Sequence, residues 1–382
     1  MSFMQHEPIP APGRGRRVLM LVTDAYGGHG GIALANRDVI EAMCLDPTIE
    51  QVVALPRIAK LPLRDDLPDK LDFDTSAIGG ARAYLRAVAR TMRSGPFDMV
   101  FCGHINLLPL ARAVATLLRT PLSLTIHGIE AWTPSRRAIT RWVARSADLV
   151  TAVSALTLER FRSWAPYPDA QCAVLPNAVH LDRFSTGPKS AELERRYDVA
   201  GRRVVMTFGR LAGHKRYKGF DRMLESLGGM VERAPDLVYV IAGDGVDRPR
   251  LERKALALGI ADHVRFTGMV AEHEKADHYR LADVYAMPSR GEGFGFVLLE
   301  AMACGIPAIG STLDGTREAM REGELGLVVD PLDTVALVDA VVSSLNRPHV
   351  VPPGLEHFAY PKFVKRVHRI TARLMARASV PG

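Results

Sequence analysis

Cysteine is scarce in this 382-residue chain: Cys44, Cys102, Cys172 and Cys304 lie far apart. None of the spacings suits a metal cage or a redox pair, and a reduced cytoplasmic protein is expected. Long apolar runs are missing too. No window approaches the roughly 20 apolar residues of a membrane span. The run Val18–Val22 is too short for a signal peptide and soon meets Asp24. Neither an internal repeat nor a low-complexity tract is visible. Lysine is absent between Thr75 and Ala147, where ten arginines face two acids, Asp98 and Glu130. That stretch carries a net charge of +8 against +7 for the whole chain, which leaves the remainder about neutral. Its arginines are not interleaved with stacking aromatics, which argues against a nucleic-acid partner.

What is present is ordinary for a globular protein, with 47% apolar and 24% charged residues. The length predicts about two or three domains, each large enough for its own core. Residues 17–22 read as a strand, 24–31 as a glycine loop and 32–43 as a helix. Such a loop sits where doubly wound sheets bind phosphates, although it lacks the G-x-G-x-x-G order of a dinucleotide site. Strands are predicted at 51–56, 99–102, 122–126 and 148–154, with helices at 78–93, 107–118 and 134–146. Residues 60–75 read as a polar loop. Its Asp72-Phe73-Asp74 matches a metal-holding pattern, but it lies away from every other motif, and no metal is expected. The same alternation restarts at 204–208 and continues through 220–227, 237–242, 250–258 and 264–267. A basic helix at 361–376 closes the chain. Ser185 to Pro188 is the natural linker. The expected division is residues 1–185, residues 186–360 and a last helix, 361–382, packed back toward the first domain.

The chain is organised around Met287 to Pro307. A buried strand over 281–287 leads into a loop broken by Gly291, Gly293 and Gly295, and Phe296 to Ala303 are good helix formers. Gly305 and Pro307 stop that helix. A strand, a tight loop and a helix aim free N–H groups and a positive dipole end above the strand. Glu292 in the loop and Glu300 in the second turn can face the same crevice. Two carboxylates beside an anion-attracting helix end suit a ligand with both phosphate and hydroxyls, such as a nucleotide-sugar. His127 closes another strand, followed by Gly128 and Glu130, and is well placed for a ligand in the crevice. Gly209-Arg210-Leu211 with Lys218-Gly219 offers a planar fork and a point charge, a suitable pair for a diphosphate.

Pro288-Ser289, Glu292-Gly293-Phe294-Gly295 and Ala303-Cys304-Gly305-Ile306-Pro307 closely resemble the E-x7-E signature of the retaining glycosyltransferases of family 4. That family has the GT-B fold, two Rossmann-like α/β domains facing a central cleft. The other motifs follow in the family's order, from Gly30-Gly31 through His127-Gly128-Ile129-Glu130. Val174 to Val179 resembles the segment ahead of the family's interdomain linker, with Ala178 and His180 replacing its usual Gly and Asp.

The resemblance implies that Arg210 and Lys218 neutralise a leaving nucleoside diphosphate, helped by Gly30, Gly31 and the N-terminus of the Phe296 helix. Lys218 is preferred to Lys215 because it carries the Lys-Gly step. Glu300 would bond the ribose, Glu292 the donor sugar, and His127 the region of the reacting carbon. Backbone groups of Gly293, Phe294, Gly295 and Phe296 would hold the sugar, and those near Met269 and Val270 the base. No metal or other cofactor is required by this scheme.

Within the family the chain looks most like bacterial exopolysaccharide α-mannosyltransferases of the acetan or xanthan type. These use GDP-mannose and extend a polyprenyl-diphosphate oligosaccharide. Arg82, Arg86, Arg90, Arg136, Arg137 and Arg141 would then meet an anionic membrane, at the inner face of the plasma membrane. The alternatives are a UDP-sugar-dependent transferase with another lipid or a soluble acceptor, or a nucleotide-sugar-binding protein without turnover. The base, the sugar and the acceptor stay open at this level.

Overall fold

The computed structural model describes residues 15–28, 30–59, 67–213 and 216–378. Lys215, the alternative to Lys218, lies outside the described residues, as do 60–66 of the expected polar loop.

Seven parallel strands form the first sheet, and their short apolar runs explain its place in the core. They are β1 (Arg16–Val22), β2 (Ile49–Pro56), β3 (Leu71–Phe73), β4 (Met99–Cys102), β5 (Leu122–Ile126), β6 (Leu149–Ala152) and β7 (Cys172–Val174). Their spatial order is β3-β2-β1-β4-β5-β6-β7. Val18 on β1 pairs with Val52 on one side and Met99 on the other, and Val18 to Val22 are fully buried. Strands buried on both faces need uninterrupted apolar sequence, as here. Helices α1 (Gly31–Cys44), α2 (Ala81–Met92), α3 (Leu108–Leu118), α4 (Ala138–Val143) and α5 (Ala155–Arg162) cover it. Apolar residues of α2, α3, α4 and α5 share one buried cluster, so these helices lie on the same face of the sheet.

The second domain opens with α6 (Ala191–Tyr197), followed by β8 (Arg203–Phe208), α7 (Phe220–Arg233), β9 (Leu237–Ala242), α8 (Arg248–Ala257) and β10 (Val264–Gly268). Next come α9 (Lys275–Leu281), β11 (Val284–Ala286), α10 (Phe296–Ala303), β12 (Ala308–Ser311), α11 (Thr316–Ala319), β13 (Leu327–Val329) and α12 (Thr334–Ser344). The six strands are again parallel, ordered β10-β9-β8-β11-β12-β13. The strand order therefore reverses between β8 and β11, where a doubly wound sheet opens its ligand crevice.

A last helix, α13 (Tyr360–Ala378), returns to the first domain. Its Phe363, Val367, Leu374 and Met375 join one buried cluster with Val18, Met20, Val39 and Met43. His368 Nε2 lies 2.7 Å from the Ala42 carbonyl at the end of α1. The two passages between domains touch: Val179 N–H donates to Phe358 O (2.8 Å), and Tyr360 N–H to Val179 O (3.1 Å).

Three local expectations change. Leu71 to Phe73, read as loop, is an edge strand on β2, short and only half-buried. The basic helix expected from Pro134 shrinks to α4, because Arg141 donates to the Ser135 (2.7 Å) and Arg136 (3.2 Å) carbonyls of an irregular lead-in. The strand expected from Leu281 starts only at Val284. Asp283 marks the boundary by accepting from Val204 N (2.7 Å) and Lys189 Nζ (2.8 Å). The departure at His180 also has a partner. Its Nε2 lies 3.0 Å from Asp38 Oδ1 on α1, and its ring stacks on Tyr360 with centroids 4.4 Å apart. Burial pushes the Asp38 carboxyl up, and His180 opposes that shift.

Candidate active site in the interdomain cleft

Two helix N-termini face each other across the cleft. Gly30 caps α1 at φ 114° and Gly295 caps α10 at φ 104°, angles that favour glycine. Neither cap makes a side-chain hydrogen bond, and neither first turn carries an acid. The free N–H groups and positive ends of both helices are thus open to an anion. A Cβ on Gly31 would lie 3.6 Å from the Phe296 ring, so the two ends are in contact distance.

Lys218 and Glu292 meet beside these ends as an ion pair, with side chains 23% and 17% exposed. Local backbone explains how Lys218 gets there. Gly219, at φ 92°, lets the chain pass the loop after β11, where a Cβ would lie 2.7 Å from Pro288 O. The Lys218 stem crosses Gly209, and Arg210 next to it is exposed. Burial, then the charges of Glu292 and Glu130, push the Tyr217 hydroxyl up, while Arg210 opposes them. Arg210, Tyr217, Lys218, Glu130 and Glu292 therefore share one electrostatic environment.

Asp314, which sequence reading did not single out, pins the Glu292 loop. One carboxylate oxygen accepts from Ser289 Oγ (2.7 Å) and Glu292 N (2.9 Å), the other from Thr316 N (3.1 Å) and Oγ1 (2.7 Å). Burial pushes the Asp314 carboxyl up, against the pull of these bonds. Its sequence signal was Ser289 ahead of an Asp-Gly-Thr turn, visible only once the fold brings them together.

Glu300 is 4% exposed. Both site glutamates have lysine partners in space that are remote in sequence. Lys275 Nζ reaches Glu300 Oε1 at 3.0 Å, and Tyr279 Oη donates to Oε2 at 2.6 Å. Lys275 and Tyr279 were also missed, because nothing in the sequence ties α9 to α10.

The first domain contributes its strand ends. His127 follows β5; its Nε2 lies 2.9 Å from the Gly103 carbonyl, and Glu130 accepts from the N–H groups of His127 (2.6 Å) and Gly128 (3.1 Å). The ring is thus held by a backbone group of its own domain, and it is the His127 backbone that meets the second domain. A Cβ on Gly293 would lie 1.8 Å from His127 O, and one on Gly128 2.9 Å from Gly293 Cα. Beyond this contact, Glu318 of α11 accepts from Ala155 N (2.7 Å) and Leu156 N (2.8 Å), capping α5 from the opposite domain.

Phe294 is buried, Val270 packs against the core, and Met269 stands 75% exposed at the end of β10. The arginines lie elsewhere, on the outer helices of the first domain. Arg82, Arg86, Arg136 and Arg137 are exposed. Arg90 is engaged by Asp74 and Ser76, and Arg141 holds the α4 lead-in. Asp74 is thereby a helix-turn cap and an ion-pair partner. Among the described residues no group of three or more His, Cys, Asp or Glu is arranged to hold a metal ion. No helix among them is long and apolar enough to cross a membrane.

Two parallel-sheet domains, joined by two crossings and closed over one crevice, define the GT-B class of fold. Residues 51–183 match the family model described as Glycosyltransferase Family 4, and residues 202–347 that described as Glycosyl transferases group 1. The chain belongs to this glycosyltransferase family.

The chain is 32% identical over 274 residues to phosphatidyl-myo-inositol mannosyltransferase of Mycobacterium tuberculosis, covering 69% of this chain and 68% of that one. It is 37% identical over 251 residues to a GDP-mannose-dependent alpha-(1-6)-phosphatidylinositol monomannoside mannosyltransferase of Mycolicibacterium smegmatis. That match covers 63% of this chain and spans 64% of the relative's length, a little under two thirds. Among solved structures, Anabaena Alr3699/HepE in complex with UDP and glucose superimposes with a TM-score of 0.73 at 20% identity, over 95% of this chain and 100% of the other.

Proposed function

We propose that this protein transfers mannose from GDP-mannose to a phosphate-bearing glycolipid, with retention at the anomeric carbon. The observation that carries the reading is the Lys218–Glu292 pair beside two uncapped helix N-termini. A lysine has three donors, so Lys218 can hold Glu292 and a phosphate oxygen together. In the reaction, the bond from carbon-1 to the diphosphate oxygen breaks and one to an acceptor hydroxyl oxygen forms. The acceptor proton passes to the leaving phosphate. Arg210, Lys218 and the two helix ends stabilise the charge that develops on that phosphate. Glu292 orients the sugar hydroxyls, Glu300 the ribose, and His127 lies against the reacting carbon. The GDP-mannose dependence in the name of the mycolicibacterial relative favours that donor.

The acceptor in this reading is a polyprenyl diphosphate saccharide or an inositol phospholipid. The arginine face supports a membrane-borne acceptor of either kind. Beside Arg136 and Arg137, α4 presents Ile139 and Trp142 at 59% and 83% exposure, a wedge suited to the lipid interface. Each basic residue near an anionic surface contributes about 1 kcal/mol. The double variant Arg136→Ala/Arg137→Ala is therefore expected to bind anionic vesicles at least ~10-fold more weakly, as read by co-sedimentation. Equal binding of wild type and variant would remove the membrane from this reading.

The deciding assay is transfer from radiolabelled GDP-mannose, UDP-glucose and UDP-N-acetylglucosamine to purified polyprenyl diphosphate saccharide and to phosphatidylinositol mannoside. Lipid-phase label from GDP-mannose alone is expected, and the productive acceptor identifies the lipid. Label from a UDP-sugar, or only in the aqueous phase, overturns the donor or the acceptor. Binding without product in every arm would leave a nucleotide-sugar-binding protein.

A further inference from the structure

We propose that Lys275 is a positioning residue: it holds the buried Glu300 carboxylate oriented toward the ribose of a nucleoside diphosphate. The inference rests on the function proposed above and adds a residue to its donor site.

Lys275 and Tyr279 stand one turn apart on α9, on the same helix face. They take one oxygen of Glu300 each, at 3.0 and 2.6 Å. The Lys275 side chain is 14% exposed and that of Glu300 5%. Its ammonium lies 5.8 Å from the Phe184 ring centre and 5.7 Å from that of Phe208. Both rings favour the cation electrostatically and wall it off from solvent. Burial works against the Lys275 charge, but Glu300 and Glu272 outweigh it and raise its pKa. The lysine is therefore charged where it sits, and its strongest partner is Glu300.

Two consequences follow for a bound nucleotide. Without a cation beside it, a carboxylate this buried is an uncompensated charge that is costly to hold in place. A lone negative charge there would also repel the diphosphate held by the neighbouring helix end. Lys275 removes both penalties. An ionised carboxylate has about four lone-pair sites; with Lys275 and Tyr279 taking one on each oxygen, a vicinal diol can still be accepted. The ribose is the part of a nucleotide with that pattern. A cavity lined by Glu300, Glu272, Leu34, His180, Arg183 and Phe184 adjoins the carboxylate.

The test is calorimetric titration of GDP into wild type, Lys275→Met, Lys275→Arg, Glu300→Gln and the double variant Lys275→Met/Glu300→Gln. Thermal melts control for folding. Lys275→Met is expected to weaken GDP binding at least ~10-fold and Lys275→Arg to restore most of it. In the Glu300→Gln background the same lysine change is expected to cost less than ~3-fold, since coupled residues are non-additive. In the transfer assay Lys275→Met raises the donor KM more than it lowers kcat. Tyr279→Phe removes only the second bond to Glu300 and is the companion variant should Lys275→Met unfold; it is expected to weaken GDP several-fold. Unchanged affinity in the folded variants, or an equal loss with and without Glu300, overturns the positioning role. A wild-type protein that binds no GDP overturns the proposed function, and this inference with it.

Discussion

Lys218→Ala is expected to lower transfer at least ~100-fold, the scale seen when one preorganised donor to developing charge is removed. The side chain is 23% exposed and belongs to no apolar cluster, so the melting temperature is expected to change little. Two effects add. The diphosphate loses its point charge, and Glu292, itself 17% exposed, loses its partner. An unpaired carboxylate beside the site repels the phosphate that the lysine formerly held. Lys218→Arg is expected to recover only part of the rate, because a planar fork on a longer arm does not reproduce an ammonium packed over Gly209. A folded Lys218→Ala protein with near wild-type rate would falsify the assignment of this pair to the donor.

Gly293→Ala is the second large effect, and it acts through geometry alone. A Cβ there would lie 1.8 Å from the His127 carbonyl oxygen of the other domain. The second domain can keep its core, but it cannot keep that contact, so the Glu292 loop and His127 must separate. Misplacement of reacting groups by an ångström costs about 100-fold in rate. Transfer is expected to fall by at least that factor, with GDP affinity reduced much less. Gly228→Ala on α7 is the control, because its Cβ would meet nothing within 4 Å. A helix-interior Gly→Ala change is expected to stabilise by about 0.5–1 kcal/mol. Equal kcat in Gly293→Ala and Gly228→Ala would show that the domains do not need this contact in turnover.

Much of this arrangement was legible in the sequence, and for a physical reason. Strands such as 99–102 and 237–242 were readable to the residue because a parallel strand buried on both faces is an apolar run with abrupt ends. The helix 296–303 was equally clear, since glycines at 295 and 305 bound it. The candidate site was legible where one chain segment carries it, as in Glu292 to Glu300. Pairings between segments were not. Lys275 with Glu300, Asp314 with Ser289, and Asp38 with His180 join positions between 25 and 142 residues apart. Each is an ordinary charged or polar residue until the fold supplies its partner. The edge strand at Leu71 failed for another reason: two half-buried residues flanking an exposed aspartate look like loop.

The return of α13 to the first domain has a consequence for synthesis on the ribosome. Phe363, Val367, Leu374 and Met375 complete the layer that covers one face of the first sheet, beside α1. A nascent chain that has released only the first seven strands has α1 on that face but not the layer beside it. The last turns of the helix must emerge before the sheet closes. The usual order, in which the N-terminal domain matures while the rest is still being made, is thereby suspended. The second domain, whose strands and helices fall within residues 191–344, can close its own sheet first, so the half translated first is the half finished last.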